Sequence, residues 1–235
     1  MKLKVFYHVT DLPYWEEITK DQMDRIFSSG LIDNAEVHLN LHYNPDSFTE
    51  FLKNYQHPNL VLHYSKNTRE DGEHSTVVLM TDTAKADDEV WGALYLHQKG
   101  ITHAPGGYWK SPEQTKHWRR YLDYFNIVRW KDCADKLEEG YDCAGVELQM
   151  SGIDGLEVYV GNVYWTRSDY IRRNTPHLVL PTTVGLQPQL DPVASTKYRD
   201  DCEFWICRAK PKTYSFHHSG LNLYTQNVLE ETYIK

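Results

Sequence analysis

Short apolar runs alternate with amphipathic stretches from residue 3 to residue 97, and this alternation restricts the fold more than any other feature. Leu3–Val9 is a run of strand length. Tyr14–Ser29 places Trp15, Ile18, Gln22/Met23 and Ile26 along one helical side, with Gly30 as the stop. Glu36–His42 alternates strictly, with Val37, Leu39 and Leu41 facing one way. Ser47-Phe-Thr-Glu50 has the form of a capping box opening a short helix through Tyr55. Leu60–Tyr64 reads as a strand, Thr76–Ala86 as a helix and Val90–His97 as a strand. Strands separated by helices are joined by crossovers rather than hairpins. The order predicts one α/β domain over 1–235, with a mostly parallel central sheet and helices on both faces.

The second half is less regular. Ile101–Gln114 holds Pro105, Gly106, Gly107 and Pro112 and reads as a loop. His117–Glu139 is helical, with a break near Asn126. Cys143–Leu148 and Leu156–Trp165 return to strand. Thr175–Thr196 contains four prolines and reads as an extended loop; residues 208–235 read as a strap across the domain.

Composition narrows the function classes. Hydrophobic residues at 40% and charged residues at 25% supply an ordinary core and exclude a mostly disordered chain. A net charge of −8 speaks against a nucleic-acid-coating protein and leaves a local basic groove open. Tyr (17) and Trp (7) together outnumber Phe (7), which suits a wet binding surface and equally an ordinary core. No run approaches the ~18 apolar residues of a membrane span, and the start MKLKVFYHV is too short an apolar run for a signal peptide. The expected compartment is the cytosol. Cys133, Cys143, Cys202 and Cys207 form no C-x-x-C pair and read as structural thiols.

In an open parallel sheet, ligands sit beyond the carboxyl ends of the strands. Three polar clusters fall at such ends: Tyr7-His8-Val9-Thr10-Asp11, His63-Tyr64-Ser65 and His97-Gln98-Lys99-Gly100. Lys, Gly and His together suit a phosphate: charge, close backbone approach and a donor. Solvated turns are the alternative reading of each cluster. No G-x-G-x-x-G follows a strand, and no G-x-x-x-x-G-K-[ST], H-E-x-x-H or G-x-S-x-G occurs, so dehydrogenase, P-loop, zinc-protease and serine-hydrolase chemistry have no support. Gly161-Asn162-Val-Tyr-Trp165 offers an amide and aromatic faces for a sugar, with Trp165 equally suited to the core. Arg119 or Arg120, after the Pro/Gly loop, suits a phosphate contact, and the pair suits a solvated helix face as well.

Several segments, taken in order, resemble small glycosyltransferases of the GT-A type, as found in chlorovirus capsid glycosylation and in surface-polysaccharide clusters. They are Ala93–Ile101 (ALYLHQKGI), Trp118–Val146, Tyr159–Arg173 (YVGNVYWTRSDYIRR) and Arg199–Ile206 (RDDCEFWI), with Tyr7–Gln22 and Ser28–Leu31 nearer the start. The resemblance covers roughly half of the chain and implies a nucleotide-diphosphate sugar as donor, a UDP-sugar foremost. The acceptor would be a hydroxyl of a glycan or glycoprotein, and a viral chain would act in the host cytoplasm. The donor would meet His8, Val9, Thr10, Asp11 and Tyr64 on the nucleoside side, and His97, Lys99, Gly100 and Arg119 on the diphosphate side. Gly161, Asn162 and Trp165 would meet a sugar.

Many relatives hold Mn2+ or Mg2+ with a D-x-D motif at the fourth strand end, where this chain has His97-Gln98-Lys99-Gly100. Either Lys99 neutralises the leaving diphosphate without metal, or a metal is held by His97 with His217 or His218. Inverting transfer needs a base for the acceptor proton. Glu203 matches the family's acidic position, with Asp200 and Asp201 as neighbours that could substitute; a retaining route through a nucleophile stays open. Two other readings remain: transfer to a hydroxymethylated base of phage DNA, and a non-catalytic sugar-binding domain.

Overall fold

The computed structural model describes residues 1–42, 45–65, 73–101, 112–151, 155–178 and 199–234. The alternation of the first half produces its predicted elements. These are β1 (Lys2–Thr10), α1 (Trp15–Ser28), a one-turn α2 (Leu31–Asn34), β2 (Ala35–His42), α3 (Pro45–Leu52), β3 (Leu60–Ser65), α4 (His74–Ala86) and β4 (Trp91–His97). They continue as α5 (Pro112–Asp123), α6 (Trp130–Glu138), β5 (Cys143–Gly145), β6 (Leu148–Met150), β7 (Glu157–Tyr159), β8 (Tyr164–Arg167), α7 (Ser168–Leu178), α8 (Arg199–Phe204) and β9 (Thr213–Ser215).

Seven strands form one sheet in the order β3-β2-β1-β4-β8-β5-β9, and β6 with β7 forms a small antiparallel pair. β8 runs against both of its neighbours; every other pairing in the large sheet is parallel. The α/β class with a mostly parallel sheet is therefore as the sequence predicts. Helices cover both faces. Val5, Tyr7, Val9, Val37, Leu39, Leu94 and Leu96 pack with residues of α1, α3, α5 and α6. Phe6, Ala93 and Tyr95 point the other way, to Val77 and Met80 of α4, Ile171 of α7 and Cys202 of α8.

Several boundaries differ from the sequence reading. α3 runs from Pro45 to Leu52, so Ser47 lies inside the helix instead of capping it, and the helix stops short of Tyr55. Four more differ for local reasons. The predicted strand 143–148 is split because Glu147 adopts φ 53, outside the extended region. The predicted strand 156–165 is split at Gly161 (φ 108) and Asn162 (φ 55), which turn the chain between β7 and β8. α5 begins at Pro112, inside the predicted loop, since proline is accepted in a first helical turn. α7 continues to Leu178, so the opening residues of the predicted 175–196 loop are helical; residues 179–196 lie outside the described residues, as do 102–111 of the other predicted loop. The expected break near Asn126 is a π-helical turn over Tyr124–Val128, closed by Arg129 N donating to Tyr124 O at 2.9 Å. It lets the carbonyl of Asn126 accept the Trp165 indole N–H at 3.0 Å.

The tail runs along α5: Leu223, Val228 and Tyr233 are buried in the core, and Gln114 Nε2 donates to Thr225 O at 3.0 Å. All four cysteines are buried, and none is in a disulfide. Among the described residues no helix is long and apolar enough to cross a membrane.

The α4-facing side of the parallel strands carries an unusual load of histidine. His8, His38, His42 and His97 are all buried there. The His38 ring meets that of His63 (Nδ1 to Nε2, 2.9 Å), and the rings of His8 and His42 lie 4.3 Å apart. Burial, and then the neighbouring His42, lowers His8 from 6.5 to about 3; burial, against the pull of Glu36, lowers His38 from 6.5 to about 4. Below pH 6.5 the unfolded chain takes up protons that the fold refuses, so this contribution is full above 6.5 and drains as pH falls. Asp123 of α5 works oppositely: burial raises its carboxyl from 3.8 to about 6, which favours the fold as pH drops through that window. The histidine shifts are together the larger. Thermal melts are therefore expected to show Tm falling from pH 7 to pH 4; a Tm that holds or rises over that range would contradict this burial.

Candidate active site

The chain steps from β1 to β2 to β3 on one side, then crosses to β4 on the other side of β1. The order reverses between β1 and β4, and there the carboxyl ends of two neighbouring strands open a crevice. Parallel pairing puts His8 beside His97 in that crevice. The carboxyl ends of β5 and β9 and the amino end of β8 lie along the same edge of the sheet, because β8 alone is reversed.

His97 is the centre of the crevice. Its Nε2 is 2.8 Å from the carbonyl oxygen of Gly161, and its Nδ1 is 2.9 Å from Glu73 Oε1. Glu73, just before α4, also accepts from the Tyr95 hydroxyl and from Asn162 Nδ2, both at 2.7 Å on Oε2. Burial alone would raise the Glu73 carboxyl, but the charge and hydrogen bond of His97 outweigh it and hold Glu73 well below the usual carboxylate range. A carbonyl only accepts, and an ionised carboxylate only accepts. Both ring nitrogens of His97 therefore donate, and the pair is an imidazolium facing a carboxylate.

Asn162 is anchored by that same carboxylate. Its residue is 2% exposed, its amide nitrogen is committed to Glu73, and its Oδ1 is buried without a hydrogen-bond partner among the described residues. Gly161 makes the turn possible. A Cβ there would come within 2.6 Å of Leu122 Cδ1, at a φ of 108 that side chains avoid.

The turn after β4 is held from behind by side chains of two helices. Gln22 Nε2 of α1 donates to His97 O at 3.3 Å, and Arg119 of α5 donates to Lys99 O at 3.1 Å. Gln98 accepts from Thr10 N at 2.8 Å and donates to Thr19 Oγ1 at 2.7 Å, tying the ends of β4 and β1 together. Gly100 (φ 95) packs so closely on α5 that a Cβ would fall 2.1 Å from Thr115 Cγ2. Lys99 lays its Nζ 4.3 Å from the centre of the Trp118 ring.

On the β1 and β2 side, His8 Nδ1 meets Thr76 Oγ1 at 3.0 Å, and His42 Nε2 meets Ser75 Oγ at 2.6 Å. Asn40 Nδ2 lies 2.9 Å from Thr76 Oγ1. Thr10 Oγ1 is buried without a hydrogen-bond partner among the described residues. Beyond β1, Asp11, Pro13, Tyr14, Trp15, Glu17 and Lys20 help to line an open cleft of about 790 Å³. Tyr14 stands half exposed at φ 69.

Of the residues singled out in the sequence, the structure brings His8, Thr10, His97, Lys99, Gly161 and Asn162 to this crevice. Val9 faces the core, so its side chain is out of reach, and Arg119 is buried as a support for the 97–100 turn. Trp165 is fully buried with its indole spent on Asn126, which corrects the expectation that it offers a face to a sugar. Tyr64 is exposed on the edge strand, two strands from β1 and on the face opposite His42's side. Asp11 accepts from Ser47 Oγ at 3.4 Å. Glu203 sits on α8, which packs against α4 and β7, and its carboxylate has no hydrogen bond among the described residues. The side chains of Asp200 and Asp201 lie outside the described residues.

The described residues do not fit a divalent metal. Both ring nitrogens of His97 are engaged, and no group of three or more His, Cys, Asp or Glu among the described residues is placed to hold an ion. Sequence reasoning missed Glu73, Asn40 and His42. The signal for the last two was present: both faces of a parallel strand are buried, so His38, Asn40 and His42 opposite Val37, Leu39 and Leu41 mark a polar interior.

No family model matches the sequence, and no curated protein matches it. Solved structures with a distant likeness include a protein assigned as a nucleotide-diphospho-sugar transferase from Desulfovibrio desulfuricans G20. The TM-score is 0.42 at 10% identity, over 91% of this chain and 79% of that one. Another is 4-diphosphocytidyl-2C-methyl-D-erythritol synthase from Anaerococcus prevotii DSM 20548, with a TM-score of 0.44 at 11% identity, over 98% of this chain and 92% of that one. The functional reading rests on the site itself.

Removing one partner of a buried ion pair typically costs about 3–5 kcal/mol. Glu73→Ala is expected to lose stability in that range at pH 7 in urea unfolding, with the gap to the parent closing as pH falls below 4.5. A loss under about 1 kcal/mol would show that His97 and Glu73 are not a charged pair.

Proposed function

We propose that the crevice between β1 and β4 binds a nucleotide-diphosphate sugar and that the chain transfers the sugar to a hydroxyl acceptor. The observation that carries this reading is the Oδ1 of Asn162, buried beside the His97–Glu73 pair and without a hydrogen-bond partner among the described residues. A buried acceptor without a donor costs on the order of 1–3 kcal/mol, and a sugar hydroxyl is the kind of donor that relieves it. Supporting features run along the edge in the order such a ligand needs. The cleft after β1 has aromatic walls for a nucleoside. Lys99 and the backbone of the clamped 97–100 turn offer positive charge and close approach for a diphosphate. The Gly161–Asn162 turn comes next, at the sugar position. In this reading no step passes through a metal: the developing charge on the diphosphate is met by Lys99. Glu203 is the carboxylate that the family resemblance implies for the acceptor proton.

Calorimetry with UDP, uridine and UDP-glucose tests the reading. Lys99→Ala is expected to weaken UDP about tenfold while leaving uridine unchanged, since one charge-assisted contact is worth about 1.5 kcal/mol. Asn162→Ala should reduce UDP-glucose to the affinity of UDP alone. Added Mn2+ should change neither. If the parent binds no nucleotide diphosphate or its sugar at millimolar concentration, the crevice has another use.

A further inference from the structure

A second polar centre lies on the same edge, at the ends of β5 and β9. Glu147 comes after β5, is fully buried, and holds φ 53, a conformation costly for a residue with a side chain. Three donors converge on its carboxylate: the Tyr121 hydroxyl at 2.9 Å and the backbone N–H of Ser219 on Oε1, and Gln149 Nε2 at 2.8 Å on Oε2. The same Tyr121 oxygen lies 2.8 Å from His217 Nδ1. A phenol has one proton. Burial and the Glu147 charge keep that proton firmly on Tyr121, and its bond is directed at Glu147. The tyrosine oxygen can then only accept from the imidazole. His217 is thereby fixed as the Nδ1–H tautomer, with the lone pair on Nε2. No hydrogen bond engages Nε2 among the described residues. Phe125 stacks on the ring at 5.5 Å and fixes its plane.

The arrangement has the logic of an oriented general base: an anion fixes a hydroxyl, the hydroxyl fixes a tautomer, and the far nitrogen is left basic. By contrast Glu203 has no orienting partner among the described residues. Position agrees. From β4 the edge runs through β8 and β5 to β9, steps of about 4.8 Å each. His217 follows β9 on this edge and packs with Tyr121 and Phe125 on the α5 side of the sheet, while His97 and Glu73 lie on its α4 side; the Gly161–Asn162 turn joins the two, because Gly161 packs against Trp118 and Leu122 of α5 and Asn162 bonds Glu73.

We infer that the Glu147–Tyr121–His217 relay presents His217 Nε2 as the proton acceptor for the hydroxyl that receives the sugar. The inference rests on the nucleotide-sugar reading of the crevice. In the step, the acceptor oxygen bonds to the anomeric carbon, and the anomeric carbon–oxygen bond to the diphosphate breaks with its electron pair staying on the phosphate oxygen. The acceptor's proton passes to Nε2, and Nδ1–H continues to donate to Tyr121. Among the described residues, Tyr121 of α5 meets the His217 ring, Glu147 and Tyr233 meet Tyr121 in turn, and exposed His218 follows in the chain.

Release of nucleoside diphosphate from a panel of UDP-, GDP- and dTDP-sugars, with water and free monosaccharides as acceptors, supplies the rate. His217→Gln is expected to lower it about 10²–10⁴-fold with UDP affinity unchanged, and to abolish the fall in rate on the acid side of the profile. Tyr121→Phe should retain part of the rate and shift that acid limb. Nitrogen-15 NMR of the histidine rings should find His217 as the Nδ1–H tautomer in the parent and as a mixture in Tyr121→Phe. This readout stands even if a variant folds poorly in the rate assay. An Nε2–H tautomer in the parent, or a His217→Gln enzyme with near-parental rate and acid limb, overturns the inference. Loss of rate in Glu203→Gln alone returns the proton to Glu203. A parent that binds no nucleotide diphosphate and cleaves no donor sinks the nucleotide-sugar reading instead.

Discussion

The Glu73 carboxylate is the point on which the crevice depends. It sits before α4, yet its hydrogen bonds reach Tyr95 and His97 on β4 and Asn162 in the turn before β8. Three separate parts of the chain are thus held by one anion. A carboxylate this little exposed stays charged because its oxygens are met by three donors, chiefly the imidazolium. The consequence is geometric: His97 cannot rotate, and Asn162 cannot flip its amide, without exposing an unpaired charge. The ligand side of the site is built before any ligand arrives, which is what binding and catalysis need to avoid ordering costs.

Backbone strain gathers at the same edge. Among the described residues the positive-φ positions other than glycine are Tyr14, Glu147, Asn162 and Lys210. Tyr14 comes after β1, Glu147 after β5 and Asn162 before β8, all on the carboxyl edge of the parallel strands. Lys210 precedes β9 and lies at the opposite edge. Strain of this kind costs of order 1–3 kcal/mol per residue and persists where surrounding bonds over-determine it. At Glu147 three donors do so; at Asn162 it is Glu73.

Much of the frame was legible in the sequence because hydrophobic periodicity is a local property. The β1–β4 alternation, the stop at Gly30 and the interruption at Asn126 could be read from neighbouring residues alone. What was not legible depended on partners far away in the chain. Glu73 is one acid in a polar run until His97 and Asn162 are placed beside it. Glu147 looked like a strand residue, since nothing local announces that Tyr121 and Ser219 will pull it out of line. Trp165 failed in the opposite way: its composition suited a sugar, and only the π-helical turn, 39 residues earlier, shows where its indole is spent. β9 escaped notice because three residues of Thr-Tyr-Ser make a strand only when Cys143–Gly145 lies beside them.

The π-helical turn also sets the rotational phase of α6. It carries one residue more per turn than an α-helix would, and α-helical positions advance by about 100° each. Were one residue removed between Tyr124 and Val128, the helix would close regularly and α6 would swing by about that angle. Trp130, Cys133 and Leu137, now buried under the sheet, would rotate toward water. The site edge and the far end of the sheet are thus indexed to each other through a single added residue, like two gears meshed one tooth apart.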